Sequence, residues 1–584
     1  MSHTSTHATR LLQERLGVKP LEERPDPSVL RGILQTMDYK RFEIHDDVGT
    51  TLHQFEGAKQ ANRCLPGDHV YWDGSMCQLE LRDEHPLLVG VLELTHPARY
   101  GFTSHRVPLC LFTPYDTRYP PMVVGCSEKD KTRNRLGIVQ WMNWPTTSVF
   151  PRGALQRVLG LAGDIDAEKK AILHLACPWK YPAHSFQPRL LDGPSTRRVT
   201  LAGTTFHIDP EGCRDVDDVF TIETLDDCLW RVTITISDVA AFVEDGGAID
   251  IMASLISQTV YSDTGKVLAP MLPVEYSEGA CSLLPNKTSY GLSLQFLWNG
   301  ACISDCSWFE SVFVTHHSYT YTSFLETAPS SLSRVVQDVA SFLAGRVVDD
   351  PHEWVEQWML YYNKQAGQAL KAAQMGILRR HPPADKERWE RYRANLPEWK
   401  HLAMSSATYA LAEEEDTYHH GLETDGYAHT TSPIRRYADL VNQRALKQYL
   451  HVGISRFIVP VTMGEMNRRE KVIKQFAREM TFLEALRTGH TLTQAVVLEK
   501  EPVDGECRVR FYVPEWKKTV SAFYPLSPEG ALLSRDGTKR LELREFSTVT
   551  LQCSSYATHR HPKQRMLFQV QDQVQDQDQK EDHE

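Results

Sequence analysis

The chain has 584 residues, with 64 Lys and Arg against 75 Asp and Glu for a formal charge of −11, and 41% of it is hydrophobic. Such a balance suits a globular chain of about three to five domains, at roughly 100–200 residues each, and excludes a collagen-like or wholly disordered polymer. No apolar run approaches the ~18 residues of a membrane-spanning helix, and the acidic total argues against coating nucleic acid by phosphate neutralisation alone. In chain order, residues 1–30 open with MSHTSTHATRLLQERLG, which holds no acid before Glu14. This stretch is expected to be flexible, and its composition keeps a mitochondrial transit peptide open as the alternative to a cytoplasmic location. The twelve cysteines are dispersed without a CxxC pair, which points to a reduced, intracellular chain rather than a zinc ribbon or disulfide scaffold.

Residues 31–190 read as short strands. HVYWDG, PLLVGVLEL, VPLCLF, PPMVVG and LGIVQWM are cut apart by Pro, Gly and Asp, which predicts two small β-barrels or sandwiches, 31–100 and 101–190. A mixed centre follows over 191–487. It opens with strands such as WRVTITISDVAAFV and turns helical at HEWVEQWMLYYNKQAGQALKAA, with further helix expected at 401–415, 434–450 and 463–487. Strands return over 488–570, enough for one more small barrel. Residues 571–584 form a polar, acidic, low-complexity tail, expected to be disordered.

The densest chemical signal is FHIDPEGCRDVDD, which holds Asp209, Asp215, Asp217 and Asp218. An extended backbone would aim Asp215 and Asp217 the same way, and a turn at Pro210 and Gly212 would fold Asp209 back towards them. Carboxylates this dense repel one another unless a cation sits among them. Oxygen donors favour a hard ion such as Mg²⁺. A solvated acidic turn is the competing reading, but the apolar flanks Phe206, Ile208, Val219, Phe220 and Ile222 weigh against it.

The second signal is HTTSPIRRYADL. Ser432 and Pro433 read as a helix start, placing Arg435 and Arg436 in the first turn, where a phosphate would be held. An Arg pair bonded to Asp439 explains the same residues equally well. Acidic metal ligands and an arginine phosphate clamp are together the two halves of a phosphodiester hydrolase.

These two motifs resemble those of the ribonuclease II/R (RNB) family, including its Dis3-like members. ISDVAAFVEDGGAID, VYSDTGKVLAPMLP, GACSLLPNKTSYGLSLQF and MSSATYALAEEEDTYHHGL follow the family in order, so that the likeness covers about residues 35–570. It implies an α+β multidomain chain: two N-terminal OB-type cold-shock barrels, a central mixed α/β RNB catalytic domain and a C-terminal S1-type OB barrel. It also implies Mg²⁺-dependent, processive 3′-to-5′ hydrolysis of single-stranded RNA to 5′-mononucleotides.

Carried over residue by residue, Asp209, Asp215, Asp217 and Asp218 would hold up to two Mg²⁺ ions, with Mn²⁺ able to substitute. By the same resemblance Asp217 would be the aspartate on which activity most depends. Arg435 would contact the scissile phosphate with Arg436 beside it, Tyr321 would lie next to the terminal nucleotide, and Tyr261 would stack on a base. The expected partner is single-stranded RNA, bound by a monomer without a membrane, and membership of an RNA-decay complex is left open.

Three departures stand out. The segment between Tyr321 and VEQWMLYYN is short and offers no second base-stacking aromatic. VNQR replaces the family's usual VHR. No PIN endonuclease is expected ahead of the first barrel, which likens the chain to ribonuclease II or Dis3-like-2 rather than full Dis3. The short segment also keeps alive the alternative of a weak or inactive RNA-binding protein on the RNB scaffold, and the acidic tail could serve as an interaction scaffold in either case. In the terminal barrel CRVRFYVPEWKK interleaves Arg508, Arg510, Phe511, Tyr512, Trp516 and Lys518, of which one strand face at most can bind RNA. The run Arg468, Arg469, Lys471, Lys474 and Arg478 reads as a solvated helix face.

Overall fold

The structure is a computed structural model that describes residues 30–571, apart from 47–48, 83–84, 97, 99, 184, 194–196, 488–491, 504 and 556–565. The expected flexible N-terminus and the acidic tail therefore lie, but for residues 30 and 571, outside the described residues. The chain forms two compact units: one joins the residues up to Ala176 with those from Arg478 onward, and the other is Cys177–Ala477. No helix among the described residues is long and apolar enough to cross a membrane.

In the first unit, the alternation that sends Phe42 and Ile44 inward builds a five-stranded antiparallel sheet. Its spatial order is Thr51–Glu56, Arg41–His45, Arg31–Thr36, His69–Trp72, Cys77–Leu81. Gly32 allows the two central strands to approach, because a Cβ there would lie 2.1 Å from the His45 carbonyl oxygen. A closed five-stranded barrel follows, made of Leu87–Glu93, Leu109–Pro114, Met122–Gly125, Arg135–Asn143 and Arg152–Leu161. The parallel pairing of Arg152 with Val123 closes it. Leu87–Glu93, which the sequence reading assigned to the first β module, pairs within this second one. Residues 492–570 supply a further five-stranded sheet around Val509, Phe511, Val513, Val520 and Leu551.

That last core corrects the reading of the terminal aromatics. Phe511, Tyr512 and Trp516 are all buried. Arg508 and Arg510 lie on the strand face opposite Phe511, paired with Glu501 and Glu499.

The second unit is built on a seven-stranded sheet in the order Val199–Thr200, Ile303–Val314, Thr288–Trp298, Leu229–Ser237, Asp218–Asp226, Thr204–Ile208, His317–Tyr319. Its central pairs are antiparallel and its two outermost pairs parallel. The helices Ser330–Ala344 and Pro351–Ala373 pack on it through Val335, Val339, Trp354, Trp358 and Tyr362 against Phe206, Phe220, Ile234 and Phe296. Asp350 caps the longer helix by accepting from the His352 N–H, and Pro351 sets its first turn. Buried residues at 354, 358, 362, 366 and 370 then follow the helical repeat.

Helix Met463–Arg487 forms as its spacing predicts. Arg469 is not solvated, however: it is buried with its guanidinium over the Trp179 ring. The expected helix at 401–415 is instead a short 3₁₀ segment, Pro397–Ala403, followed by the strand Thr408–Leu411. That strand pairs with Ile377–Arg380, and Arg379 lies 4.3 Å from the Tyr409 ring centroid, so long-range contacts override an ambiguous local pattern.

Candidate active site

Two adjacent antiparallel strands present the carboxylates. Thr204–Ile208 ends at Asp209, and the chain turns through Pro210–Cys213, with Gly212 at φ +77°. It then re-enters the sheet at Asp218. Val216 anchors the crossing: it is fully buried, and its N–H donates to Ser282 Oγ at 3.0 Å.

Each aspartate has different neighbours. Asp209 Oδ2 lies 2.8 Å from His207 Nδ1. Asp215 Oδ2 accepts from the Tyr261 hydroxyl at 2.9 Å. Asp217 is 5% exposed; its Oδ1 accepts from the Ile434 N–H at 3.0 Å, and Arg435 Nε stands 3.5 Å from its Oδ2. Asp218 Oδ2 is buried with no hydrogen-bond partner among the described residues.

All four line one cleft of about 920 Å³, together with Tyr261, Tyr321, Arg435 and Arg436. The residues singled out from the sequence are thus brought to one place across more than two hundred residues of chain. Burial pushes the Asp217 carboxyl up to about 8, against the opposing pull of Arg435 and the Ile434 amide. Burial, then the charges of Asp209 and Asp217, holds Asp218 well above the carboxylate range. Tyr321 is raised to about 12, by burial first and then by Asp209.

Among the described residues, no three His, Cys, Asp or Glu side chains stand close enough to cage an ion as placed. The donor set nonetheless suits a hard divalent cation. It is all carboxylate oxygen, one oxygen is orphaned in a buried position, and two acids bear the cost of buried like charge that a cation would remove.

The arginine segment departs from expectation. The helix starts at Tyr437 with Arg436 as its extended N-terminal cap, so both arginines precede the first turn and Ser432 is not the cap. Ser432 donates its N–H to Asp439 Oδ1 at 2.8 Å, and its Oγ accepts from Arg435 Nη2 at 3.0 Å. Arg436 donates to the fully buried Asp439 at 2.8 Å, so its charge is already engaged although it lines the cleft. The Asp439 reading therefore holds for Arg436, whereas Arg435 is turned to Asp217.

Sequence reasoning missed several residues. Asn363 accepts from the Thr430 N–H and Oγ at 2.9 and 2.8 Å and so pins the arginine segment to the long helix. Its spacing from Val355 and Met359, which also line the cleft, was the available signal. His429 enters the cleft with Nδ1 3.0 Å from the Tyr409 hydroxyl. Lys266, Arg214 and Glu278 line it too. No partner for Tyr261, expected to stack on a base, is identified among these residues; the aromatic contact found lies instead at the Tyr321 ring. In the structure His352 stacks on that ring, with centroids 3.6 Å apart and planes 20° from parallel, which no sequence signal announced.

Comparison with known proteins adds three findings. The profile of the RNB domain matches residues 197–331 and 341–452, and that of the Dis3-like cold-shock domain 2 matches 109–176. Curated relatives include DIS3-like exonuclease 2 of Xenopus tropicalis, 25% identical over 59% of this chain and 55% of its own length. The exosome complex exonuclease RRP44 homolog A of Arabidopsis thaliana is 24% identical over 78% of this chain and 57% of its own length. The chain spans about half the length of the curated relatives it matches. Among solved structures, RNase R of Mycoplasma genitalium in complex with ribose-methylated single-stranded RNA shares the fold, with a TM-score of 0.67 and 15% identity over 93% of this chain and 100% of that one. Yeast Ssd1, a pseudonuclease, gives a TM-score of 0.57 at 19% identity over 91% of this chain and 82% of that one.

Proposed function

We propose, from the match of residues 197–331 and 341–452 to the RNB domain, that the chain is a divalent-metal-dependent hydrolase that shortens single-stranded RNA from its 3′ end to 5′-mononucleotides. The observation that carries this reading is a single cleft holding four aspartates, one of them with an orphaned buried oxygen, together with Arg435. Asp209, Asp215, Asp217 and Asp218 are the proposed ligands for up to two Mg²⁺ ions, with Mn²⁺ as substitute. When bound, Mg²⁺ supplies activation of water and charge neutralisation at the phosphate.

The remaining roles belong to the chain itself. The Ile434 amide fixes the Asp217 carboxylate, and Arg435 holds the negative charge that develops on the phosphoryl oxygens. Arg436, locked to Asp439, sets the segment that carries Arg435. Tyr321, backed by His352, and Tyr261 offer ring faces to bases. The β modules at 31–190 and 488–570 are proposed as OB-type guides for the single strand.

The test is incubation of the protein with 3′-tailed, 5′-labelled RNA and Mg²⁺, with products resolved by length. The expected outcome is a shortening ladder ending in a short oligonucleotide, abolished by EDTA. Asp217→Asn should keep RNA affinity and stop mononucleotide release; a variant that degrades RNA at the normal rate refutes the assignment. A second reading, an RNA-binding protein without catalysis, draws on the short segment between Tyr321 and helix Pro351–Ala373 and on the shared fold of Ssd1. RNA binding without any Mg²⁺-dependent product would select it.

A further inference from the structure

Tyr261 does more than offer a ring face to the cleft. It ends the two-residue strand Val260–Tyr261, which pairs with Val267–Ala269 to form a hairpin at the cleft's edge. The same hairpin is tied to the arginine segment. The Thr259 N–H donates to the Arg435 carbonyl at 2.9 Å, and the Tyr437 N–H donates to the Ser257 carbonyl at 2.9 Å. From that base the Tyr261 hydroxyl reaches across and donates to Asp215 Oδ2 at 2.9 Å. The other carboxylate oxygen, Oδ1, faces only the weak Cys213 thiol at 3.8 Å among the described residues.

We propose that Tyr261 is a positioning residue for the divalent-cation centre, fixing the rotation of the Asp215 carboxylate so that Oδ1 is presented to the ion while the hairpin sets its distance from Arg435. This rests on the metal-dependent reading above. A carboxylate with one oxygen held by a phenol hydroxyl has a single orientation to offer, whereas a free one must be ordered when the ion binds. Partners that orient metal ligands in this way typically contribute about 10–100-fold in metal affinity. The hydroxyl does this without touching the ion, and removing it deletes one oxygen while leaving the ring.

The experiment uses the full chain without RNA and follows Mn²⁺ binding by electron paramagnetic resonance, with thermal unfolding in EDTA as a check on folding. Tyr261→Phe is expected to weaken Mn²⁺ about 10–100-fold and to leave the affinity for single-stranded RNA in EDTA within about twofold. A Tyr261→Leu variant should lose on both counts. In an Asp215→Asn background the Tyr261→Phe effect should vanish, since the hydroxyl acts through that carboxylate. If the wild type holds Mn²⁺ and Tyr261→Phe holds it equally well, or if the effect persists without the Asp215 carboxylate, the assignment is overturned alone. A wild type that holds no Mn²⁺ overturns the metal-dependent reading and this assignment with it.

Discussion

Gly367→Ala should destabilise the unit Cys177–Ala477 and slow the proposed RNA hydrolysis, although it places a better helix former inside a helix. Gly367 lies buried in helix Pro351–Ala373. A Cβ there would meet the Ala428 nitrogen and the Tyr427 Cα at 2.7 Å, and the Gly426 carbonyl carbon at 2.8 Å. All three are backbone atoms and cannot swing aside. Carbon contacts relax near 3.5–4.0 Å, so the 426–428 segment must retreat by about 0.7–1.3 Å.

One turn earlier on the same helix, Asn363 holds that segment through Thr430, and its carbonyl accepts from the Ala428 N–H at 3.3 Å. A retreat of that size stretches these bonds past useful length. Overpacking costs about 1–3 kcal/mol and each weakened hydrogen bond about 1 kcal/mol, against a helix-propensity gain of about 1 kcal/mol. The net is a loss of about 3–5 kcal/mol with all three bonds weakened, or several degrees in Tm. Because the displaced segment leads into Arg435, the rate should fall about 10²-fold, the usual cost of a 1 Å misplacement. Tm by scanning calorimetry and turnover on labelled RNA measure both effects. A variant with a raised Tm and an unchanged rate, as helix propensity alone requires, refutes the argument.

Three further expectations follow from single contacts. In EDTA, Asp217 binds its proton more tightly in the folded chain than in the unfolded one, so the stability it contributes below pH ~4 is withdrawn as pH rises from there through about 8. Tm compared with Asp217→Asn across that range should converge on or fall below the variant at high pH, and a gap that widens in favour of the wild type would contradict the burial argument. His352→Ala should weaken RNA engagement at Tyr321 by up to about tenfold, the worth of an aromatic stack, while His352→Phe restores it; KM for short RNAs reads the difference, and equal behaviour of the two variants would remove the stacking role. Phe511→Ala should cost about 3–5 kcal/mol in the C-terminal β module and leave RNA affinity at permissive temperature unchanged, because that ring is fully buried; a selective loss of RNA binding with intact stability would return it to the binding face.

The strands and the long helices were legible because their hydrophobic spacing is local. Pro351–Ala373 and Met463–Arg487 show their repeat and, for the former, their cap in the letters themselves. The 401–415 segment was not legible: ATYAL satisfies either period, and pairing with Ile377–Arg380 decides for a strand. Phe511 and Tyr512 are neighbours and both buried, so the alternation that would have exposed one of them fails where the strand is covered on both sides.

The site divides in the same way. Four aspartates within one short motif could be read as a centre of chemistry, since their proximity is fixed by the chain. Which arginine serves that centre could not, because Arg435 and Arg436 differ only in where the helix begins. Beginning it at Tyr437 delivers Arg436 to the buried Asp439 and leaves Arg435 to Asp217, with the Ile434 amide reaching the same carboxylate from 217 residues away. Asn363 and His352 lie still deeper in tertiary structure, since each matters only through a partner on another element.

The orphaned oxygen of Asp218 is what converts this geometry into an argument about function. A buried carboxylate costs a fold stability unless something neutral or cationic meets it. Here two adjacent acids are pushed towards neutrality, while the nearest guanidinium is turned to Asp217. A fold selected for stability alone would place an amide or an apolar side chain at Asp218. A cation completing the site would offset that cost, so Asp218→Asn should raise the Tm of the metal-free chain while lowering its affinity for Mn²⁺. A lower Tm in EDTA would instead make Asp218 a structural residue and remove the strongest physical support for a metal centre.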